Sequence, residues 1–343
     1  MTYQPPYTIT PEILSQVAAI SEAIGRLTVL TDRTKALRLR RVNRIRTIHG
    51  SLAIEGNTLS EAQITAILEG KRVIAPPREV QEVKNALAAY DRFGHWRPAA
   101  ENDLLEAQRI LMSALIDEAG SYRRGGVGIK AGQQLIHMAP PAERVPYLMA
   151  DLFTWLAVTK AHPLIASSVF HYEFEFIHPF ADGNGRMGRL WQSLILSHWK
   201  PLFAEIPVES LILEHQAAYY QAINESTRQT DAAPFIDFML RMIRDAVTSW
   251  TPEVTPEVTP EVRLRSALTE ELTRQKLKQA LGLKDDEHFR KAYLTPALDA
   301  GLIERTIPHK PRSSKQKYRL TTKGRRWLAK QAQSFTPWDL DSM

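Results

Sequence analysis

A proline-containing repeat divides this chain of 343 residues into two parts. The tetrapeptide Thr-Pro-Glu-Val occurs three times in succession over residues 251–262. Proline inside a helix removes a hydrogen bond and clashes with the preceding turn, so a run with proline at every fourth position cannot be helical. We therefore expect an extended, semi-rigid linker over 251–262, with a large region before it and a smaller one after it.

Charge is distributed unevenly between these two regions. From residue 261 onward there are 18 Lys and Arg against 10 Asp and Glu, whereas residues 1–260 have 26 against 28. A compact basic region beside a nearly neutral one is typical of a nucleic-acid-binding module, although basic surface also serves solubility alone. The absence of cysteine excludes disulfides, thiol nucleophiles and Cys-ligated metals. With no signal-peptide pattern and no apolar span of transmembrane length, we expect a cytoplasmic protein without membrane contact.

Apolar spacing and capping signals predict that the first region is nearly all helical. The predicted helices lie at about 10–24, 35–54, 60–70, 79–90, 102–116, 146–158, 161–176, 186–198, 209–224 and 234–250. Between them, the glycine-rich stretch 120–129 and the segment 134–138 indicate one bent β-hairpin.

The region after the linker has a different pattern. Helices are predicted near 263–268, 273–281 and 286–300, followed by strands at 302–307 and 316–320 that bracket the basic tip 309–315. Three helices followed by a basic-tipped hairpin are typical of a winged helix-turn-helix. A DNA-binding module and a small protein-interaction module both fit this pattern.

The densest chemistry lies in residues 177–189, which read Ile-His-Pro-Phe-Ala-Asp-Gly-Asn-Gly-Arg-Met-Gly-Arg. A Gly-Asn-Gly turn just before a helix leaves backbone N–H groups free at the positive helix end, and glycine lets a phosphate approach without a Cβ clash. Arg186 and Arg189, three residues apart on the first turns, can hold further phosphate oxygens. This stretch therefore predicts a phosphate-binding cradle.

Two more side chains of the stretch complete its chemistry. Asp182 supplies the hard oxygen ligand that Mg²⁺ requires when it bridges phosphates. His178 is the natural general base for deprotonating an incoming hydroxyl. No Gly-Lys-Ser/Thr follows, which excludes a Walker loop, and a His/Asp metal hydrolase would need more ligands than the sequence offers nearby.

Residues 178–189 resemble the signature of Fic-domain proteins, with every defining position filled. The resemblance implies a mainly α fold, in which a Fic-type helical bundle with a small β-hairpin flap is joined to a C-terminal winged helix-turn-helix domain. It implies Mg²⁺-dependent transfer of AMP from ATP to a Ser, Thr or Tyr hydroxyl of a target protein or of the chain itself, with release of pyrophosphate. The roles it implies are base for His178, Mg²⁺ ligand for Asp182, anion hole for Gly183, Asn184 and Gly185, and phosphate binding for Arg186 and Arg189.

Upstream, the segment Ser-Leu-Ala-Ile-Glu-Gly-Asn at 51–57 resembles the inhibitory motif of the same family. Ser51 and Glu55 are four residues apart and share a helix face, and Gly56 fits the position that closes the helix. A carboxylate at a helix C-terminus is unfavourable to the helix dipole, so it is better explained if it meets a cation. The resemblance implies that this cation is Arg189 and that the pair restrains activity; the alternative is an exposed Glu55 beside a capping glycine.

Two further matches concern substrate contacts. Val127, Gly128 and Ile129 resemble the family flap, to which the target protein adds as a strand, although a purely structural hairpin is the alternative. Tyr219 and Tyr220 match a tyrosine pair of the adenine pocket, with core aromatics as the alternative. Some relatives place an adenine-contacting Asn where this chain has Ser-Thr-Arg at 226–228.

The expected organisation is an N-terminal helical region over 1–100 with the inhibitory helix at about 35–56, a catalytic core over 101–250, the linker, a winged-helix domain over 263–332 and a tail over 333–343. Two other functions stay open: a DNA-binding regulator whose Fic portion senses nucleotide, and a Fic enzyme that transfers another phosphate-containing group or removes AMP. Self-modification, a DNA or protein partner of the winged helix and a homodimer are each compatible with the sequence.

Overall fold

The computed structural model describes residues 3–30, 36–126, 128–131, 134–249, 268, 271–281, 286, 289–310, 313 and 316–325; within 28–40 and 127–138 it describes backbone alone. The chain divides into two compact units, Met1–Pro252 and Glu253–Met343. The linker 251–262, the helix expected near 263–268 apart from Leu268, and the tail 333–343 lie outside the described residues.

The described part of the first unit is a helical bundle, as the sequence predicted. Its helices are α1 Pro11–Leu30, α2 Ala36–Ile54, α3 Glu61–Leu68, α4 Pro77–Arg92, α5 Glu101–Leu111, α6 Val145–Val158, α7 Pro163–Ile177, α8 Asn184–Trp199, α9 Val208–Glu214, α10 Gln216–Gln229 and α11 Ala233–Ser249. Ser60 forms the predicted capping box with Gln63 at the start of α3. None of the described helices combines the length and the apolar character needed to cross a membrane.

Helix α7 lies at the centre of the bundle. It is buried along nearly its whole length, which explains why its sequence is apolar without a helical stripe. Helix α8 packs against it, and the two are joined by the short loop that contains the phosphate-cradle stretch. The site is therefore built on the two helices that pack most extensively against each other among the described residues.

Helix α2 is part of the same core and not a peripheral addition. Ile45, Ile48 and Leu52 are buried in the main hydrophobic cluster. Gly50 lies against α9 so closely that a Cβ at this position would come within 2.7 Å of the Glu209 carbonyl carbon. The helix that bears Ser51 and Glu55, the residues predicted to be inhibitory, is thus held by close backbone packing.

Two helix boundaries predicted from sequence are wrong. The helix expected over 102–116 ends at Leu111, and Ala114 has a positive φ of 58°. The Asn85 side chain of α4 donates hydrogen bonds to the carbonyls of Leu111 (3.1 Å) and Ser113 (2.7 Å), which satisfies groups that further helix would otherwise have used. A neighbouring helix therefore ends α5, without a local sequence signal.

The helix expected over 209–224 is two helices, α9 and α10, broken at His215. His215 has φ −114° and ψ 30°, outside the α-helical range. Just beyond it, the Gln216 side chain donates to the carbonyl of Ile54 at the end of α2 (2.8 Å). Contacts with α2 accompany this break, and the sequence has no glycine or proline at this point that would predict it.

The predicted hairpin is present as strands β1 Gly128–Ala131 and β2 Gln134–Met138. They pair antiparallel, with Gly128 opposite Met138, and the register shifts between Ile129 and Lys130. Such a bulge increases the local twist and suits the bent hairpin expected from the glycines. Val127 lies outside the described residues.

The second unit has its own small core, formed by Leu277, Phe289, Tyr293, Ile303 and Tyr318 among others. Its described elements are β3 Leu272–Thr273, α12 Arg274–Ala280, a π-helical stretch Phe289–Leu294, α13 Thr295–Asp299, β4 Ile303–Arg305 and β5 Lys317–Leu320. The strands form an antiparallel sheet in the order β3-β5-β4, in which β3 was not predicted because two residues give no pattern.

The helix predicted over 286–300 differs in detail from the observed one. The structure has the π-helical stretch followed by the short α13, with Pro296 at the second position of that helix. Proline has no N–H for the preceding turn, so a wider turn ahead of it costs little. Of the basic tip 309–315, the structure describes His309, Lys310 and Ser313, and the winged-helix assignment stays a prediction.

Candidate active site

Helix α7 places His178 at a sharp reversal of the chain. His178 is the C-cap residue, with left-handed φ 50° and ψ 61°, and its N–H donates to the carbonyl of Phe174 at 2.9 Å. Such a conformation costs a non-glycine residue about 1–3 kcal/mol. The side chain is 22% exposed, whereas Nδ1 is buried without a hydrogen-bond partner among the described residues. The accessible ring nitrogen is therefore Nε2.

The cradle lies at the start of α8. Gly183 is the N-cap, with φ 85°, and the helix begins at Asn184. The first N–H groups of a helix have no acceptor within it and lie at its positive end. The buried Asn184 side chain is already engaged, since Oδ1 accepts from the Phe180 N–H (2.9 Å) and Nδ2 donates to the Phe180 carbonyl (2.8 Å). Asn184 thus shapes the loop, and only its backbone N–H can meet an anion.

Arg186 and Asp182 contact each other and α4. Arg186 Nη2 donates to Asp182 Oδ1 at 3.2 Å, and Nη1 lies 3.6 Å from Glu82 Oε1. Asp182 Oδ1 also accepts from the Gly183 N–H (2.6 Å), and its Oδ2 accepts from Arg78 Nη2 (3.2 Å). The charges expected to handle phosphate and metal are therefore paired in this state.

Arg189 contacts Ser51 and Glu55 of the predicted inhibitory motif directly. Its Nη2 donates to Glu55 Oε1 (2.8 Å) and to the carbonyl of Ser51 (2.9 Å), and its Nε donates to Ser51 Oγ (3.2 Å). The Arg189 side chain is 1% exposed and that of Glu55 is 33% exposed. Burial alone would lower the pKa of Arg189, but the adjacent Glu55 carboxylate raises it, so the guanidinium stays charged.

The end of α2 holds Glu55 in place. Gly56 has φ 90° and donates to the carbonyl of Ala53 (3.0 Å), as expected for the glycine that closes a helix. At the other side of the contact, a Cβ at Gly185 would collide with the Glu55 carboxylate and come within 3.0 Å of Arg189 Nη1. Gly185 therefore admits Glu55 to the cradle as well as the phosphate for which it was predicted.

Comparisons with known proteins agree with this geometry. A family model described as Fic/DOC family matches residues 98–196, and one described as Filamentation induced by cAMP protein Fic-like, C-terminal domain, matches residues 261–321. The crystal structure of a Fic family protein from Desulfovibrio desulfuricans G20 is 56% identical, with a TM-score of 0.76, and the match covers 94% of this chain and 99% of that one. The chain belongs to the Fic family.

Relatives with curated names are more distant. The protein adenylyltransferase Fic of Nematostella vectensis is 28% identical over 215 residues, 59% of this chain and 48% of its own length. Fic-1 of C. elegans shares the fold, with a TM-score of 0.61 at 24% identity over 71% of this chain and 73% of the solved one. The chain spans about half or less of the curated Fic relatives' length, so the likeness concerns the shared region.

Arg123 supports this Fic site and was missed from the sequence. It is 3% exposed, and its guanidinium donates to the carbonyls of His178 (2.7 Å), Gly125 (2.9 Å), Pro140 (2.5 Å) and Ile177 (3.3 Å). These bonds join the base of the hairpin to the His178 turn and help to offset its strain. In the sequence, Arg123 beside Arg124 and two glycines is indistinguishable from a surface residue.

Contacts from α4 were also missed. Besides Arg78 and Glu82 on the cradle, Glu79 Oε2 accepts from the N–H (2.7 Å) and hydroxyl (2.8 Å) of Thr58. Glu82 Oε2 accepts from Asn57 Nδ2 at 2.9 Å. The segment after the inhibitory motif is therefore tied to the helix that contacts Asp182 and Arg186.

The structure separates the tyrosine pair predicted for adenine. Tyr219 is 1% exposed, and its hydroxyl lies 3.1 Å from Nε2 of the buried His171. Tyr220 is 37% exposed, and its pKa is raised by burial and by the nearby charge of Glu55. Tyr219 is thus a core residue, and Tyr220 is the member of the pair that a ligand beside the inhibitory motif could reach.

The site offers Mg²⁺ one carboxylate, that of Asp182. Among the described residues, no three His, Asp or Glu side chains are placed to hold a metal ion together. Asp182, with a side chain 40% exposed, is a single hard carboxylate at the mouth of the cradle. Because Mg²⁺ is commonly held by one or two carboxylates together with substrate phosphates and water, Asp182 suits an ion that arrives with a nucleotide.

Proposed function

We propose that this Fic-family chain transfers AMP from ATP to a Ser, Thr or Tyr hydroxyl of a target protein, or of itself, and releases pyrophosphate. The observation that carries the proposal is the arrangement within residues 178–189, which combines an accessible imidazole nitrogen, a helix N-terminus and two arginines on one helix–loop–helix. The name protein adenylyltransferase, borne by several relatives, supports the same reaction.

Each residue of the stretch has a part in this proposal. His178 Nε2 takes the proton as the target hydroxyl oxygen bonds to the α-phosphorus, and the bond from that phosphorus to the bridging oxygen of pyrophosphate breaks. Backbone N–H groups at Asn184 and Gly185 stabilise the negative charge that develops on phosphate oxygens, and the Gly183 N–H joins them when it gives up its bond to Asp182. Arg186 and Arg189 hold the departing phosphates. Mg²⁺, held by Asp182, would supply further charge neutralisation when bound.

We further propose that the contact between Arg189 and the inhibitory motif restrains the enzyme. Ser51 and Glu55 occupy the N–H groups of Nε and Nη2 of Arg189, and the remaining nitrogen, Nη1, is buried, so the guanidinium is blocked from phosphate in this state. Gly56 ends the helix so that Glu55 reaches the cradle. ATP must displace Glu55 to bind productively, and low activity of the intact chain follows.

Partners belong to the same proposal. The target segment adds as a strand to the flap at Val127, Gly128 and Ile129, because exposed strand edges accept main-chain hydrogen bonds. Tyr220 contacts adenine. The second unit binds DNA or protein. We also expect a homodimer and a cytoplasmic location.

For the alternative function of a DNA-binding regulator, the decisive measurement is a salt-dependent shift of duplex DNA that is lost on removal of residues 261–343.

The test uses ATP labelled either at the α-phosphate or at the γ-phosphate. With the Glu55→Gly chain in a cell lysate, label from α-labelled ATP should enter protein and label from γ-labelled ATP should not. His178→Ala should abolish the signal, whereas His95→Gln, which changes an exposed histidine in the short turn after α4, should leave it unchanged. Transfer of the γ-label, or no labelling by the Glu55→Gly chain, would contradict the proposal. Release of AMP from a previously modified protein would identify the reverse reaction.

A further inference from the structure

A buried carboxylate lies beside the general base on the inner face of α7. Glu175 is one turn before His178, and its side chain is 9% exposed. Its Oε2 is 4.0 Å from His178 Nδ1, and its Oε1 is 3.7 Å from Nε2 of the fully buried His171. Among the described residues, Glu175 is the acid closest to the base.

Two orphaned polar atoms point to an interaction between Glu175 and His178. Nδ1 of His178 and Oε1 of Glu175 are both buried without a hydrogen-bond partner among the described residues. A buried polar atom without a partner costs about 1–3 kcal/mol, so Nδ1 of His178 and the Glu175 carboxylate are each expected to gain one. The oxygen nearest Nδ1 is Oε2, at 4.0 Å, whereas the orphaned Oε1 faces His171. A distance of 4.0 Å is longer than a hydrogen bond, but hydrogen bonds of catalytic groups are often long before substrate binds and then tighten.

The surroundings keep Glu175 ionised. Burial by itself raises the pKa of Glu175, but the contributions of His171, His178 and Arg189 outweigh it and lower the pKa. The titratable and charged groups that face the carboxylate are His171 on the same helix, Arg189 on α8 and Tyr219 on α10, with Glu55 of α2 paired to that arginine. A buried negative charge is therefore available to Nδ1.

Helix α8 leaves space for this arrangement at a glycine. A Cβ at Gly188 would lie 2.6 Å from Cδ2 and 2.9 Å from Nε2 of His171, and 3.0 Å from Glu175 Oε1. His171 is further held by Gln192 of α8, whose Oε1 is 2.6 Å from His171 Nδ1. The glycine of the signature thus lets α8 approach the two side chains behind the base.

We propose that Glu175 is the positioning residue of the general base, accepting the Nδ1–H of His178 so that the lone pair of Nε2 faces the target hydroxyl. The inference rests on the proposed AMP transfer. When Nε2 takes the hydroxyl proton, Nδ1 keeps its own hydrogen, and the ionised carboxylate stabilises the resulting imidazolium without accepting a proton. Glu175 touches neither substrate nor phosphate and acts through His178 alone.

The first test needs no substitution at Glu175 and no activity. Nitrogen-15 NMR of the histidine side chains in the full chain, assigned with a His178→Asn variant, reports which ring nitrogen of neutral His178 carries hydrogen. We expect hydrogen on Nδ1. Hydrogen on Nε2 would overturn the proposal even if AMP transfer is observed, and hydrogen on Nδ1 would support it even if the target remains unknown.

The second test compares two buried acids of the same helix. In the Glu55→Gly background, Glu175→Gln should lower kcat roughly 10- to 100-fold with KM changed less than about twofold, since a misoriented base loses part of the 10²- to 10⁴-fold that it supplies. The acidic limb of the pH–rate profile should move to lower pH, because the imidazolium loses its counter-charge. A Glu175→Gln variant that keeps the kcat and the pH profile of the Glu55→Gly parent would overturn the proposal.

Glu173→Gln is the matched control. Glu173 is also buried on α7, but its Oε2 accepts from the Tyr3 hydroxyl at 2.7 Å and it does not contact His178. Glu173→Gln should leave both the kcat and the pH profile unchanged. An equal loss of kcat in Glu173→Gln and Glu175→Gln would mean a general effect of core carboxylates and would overturn the role proposed for Glu175. If Glu175→Gln does not fold, the NMR measurement decides. If the Glu55→Gly chain with native Glu175 is inactive, AMP transfer fails and the NMR result still decides this inference.

Discussion

The two arginines of α8 face different partners. Arg186 and Arg189 are three residues apart, and their side chains are 5% and 1% exposed. Arg189 makes three hydrogen bonds of 2.8–3.2 Å to the end of α2, whereas Arg186 meets α4 across 3.6 Å and otherwise contacts Asp182 of its own loop. The comparison teaches that burial of a cation does not by itself measure how firmly a partner holds it.

The difference in energy follows from the contact geometry. Hydrogen bonds to charged groups contribute about 1.5–3 kcal/mol, and removing one buried partner costs still more. The contact between Arg186 and Glu82 is 3.6 Å long, which is too long for a hydrogen bond, so it lacks the directional part of this energy. We therefore attribute restraint of the site to α2, and orientation of Arg186 to α4.

The largest expected effect is loss of the base, which sets the baseline for the comparison. His178→Ala in the Glu55→Gly chain should reduce AMP transfer about 10²- to 10⁴-fold, since the hydroxyl then has no proton acceptor. The measurement is incorporation of α-labelled AMP per mole of enzyme over time. A residual rate within about threefold of the parent would mean that another group is the base.

Release of Arg189 should have the next largest effect. Glu55→Gly should raise AMP transfer by the intact chain about 10- to 100-fold, because loss of a charge-assisted contact of about 1.5–3 kcal/mol frees the guanidinium for phosphate. Steady-state labelling at ATP concentrations well below KM checks the change, because saturating ATP would itself displace Glu55, with Glu61→Gln on the exposed start of α3 as a control. A Glu55→Gly chain no faster than its parent would contradict inhibition by this pair.

A second acid on the far side of Arg189 offers a stability test. Glu209 is buried on α9, and burial raises its pKa to about 7, with Ser193 donating to Oε1 at 3.0 Å. Arg189 and Glu209 border a common cavity of about 10 Å³, roughly the room for one water. Between about pH 4.5 and pH 7 the unfolded chain releases this proton while the folded chain keeps it, so stability falls as pH rises through that window.

Glu209→Gln should remove this pH dependence. Relative to the parent, the variant should gain about 1–3 kcal/mol more at pH 8 than at pH 5, which corresponds to several degrees in Tm. Thermal unfolding at the two pH values measures it, with Glu214→Gln on the exposed end of the same helix as the control. An equal Tm change at both pH values would show that Glu209 is ionised in the folded chain.

The smallest effect is expected on the α4 side. Glu82→Gln should change AMP transfer of the intact chain by less than about fivefold, because Arg186 keeps its hydrogen bond to Asp182 and the lost contact of 3.6 Å is too long for a hydrogen bond. Glu79→Gln, one turn earlier on α4, should behave similarly. A rise as large as that of Glu55→Gly would reverse the comparison and make α4 an equal source of restraint.

Much of the site could be predicted because its chemistry is local. Residues 178–189 carry base, turn and arginines within twelve residues of chain, and Ser60 with Gln63 fixes a helix start by contacts three residues apart. Arg78 and Arg123 could not be found in this way. Their partners, Asp182 and the carbonyls of the His178 turn, lie 55–104 residues away, and no periodicity records such a distance.

The same limit applies to the fold. Apolar spacing located the helices of the bundle and the hairpin, since both depend on nearest neighbours in the chain. The break at His215 and the early end of α5 depend on Gln216 reaching Ile54 and Asn85 reaching Leu111. Such helix boundaries are set by contacts with distant residues and cannot be predicted from the sequence of a single segment.

The close approach of Gly50 to α9 bears on whether the restraint of Arg189 by Glu55 depends on protein concentration. Because α2 is held by the core of its own chain, Glu55 is present at Arg189 at a fixed local concentration, and dilution of the protein leaves the fraction of restrained molecules unchanged. Relief must come from a ligand that binds more tightly when Glu55 is displaced, and the extent of activation is limited by that difference in affinity.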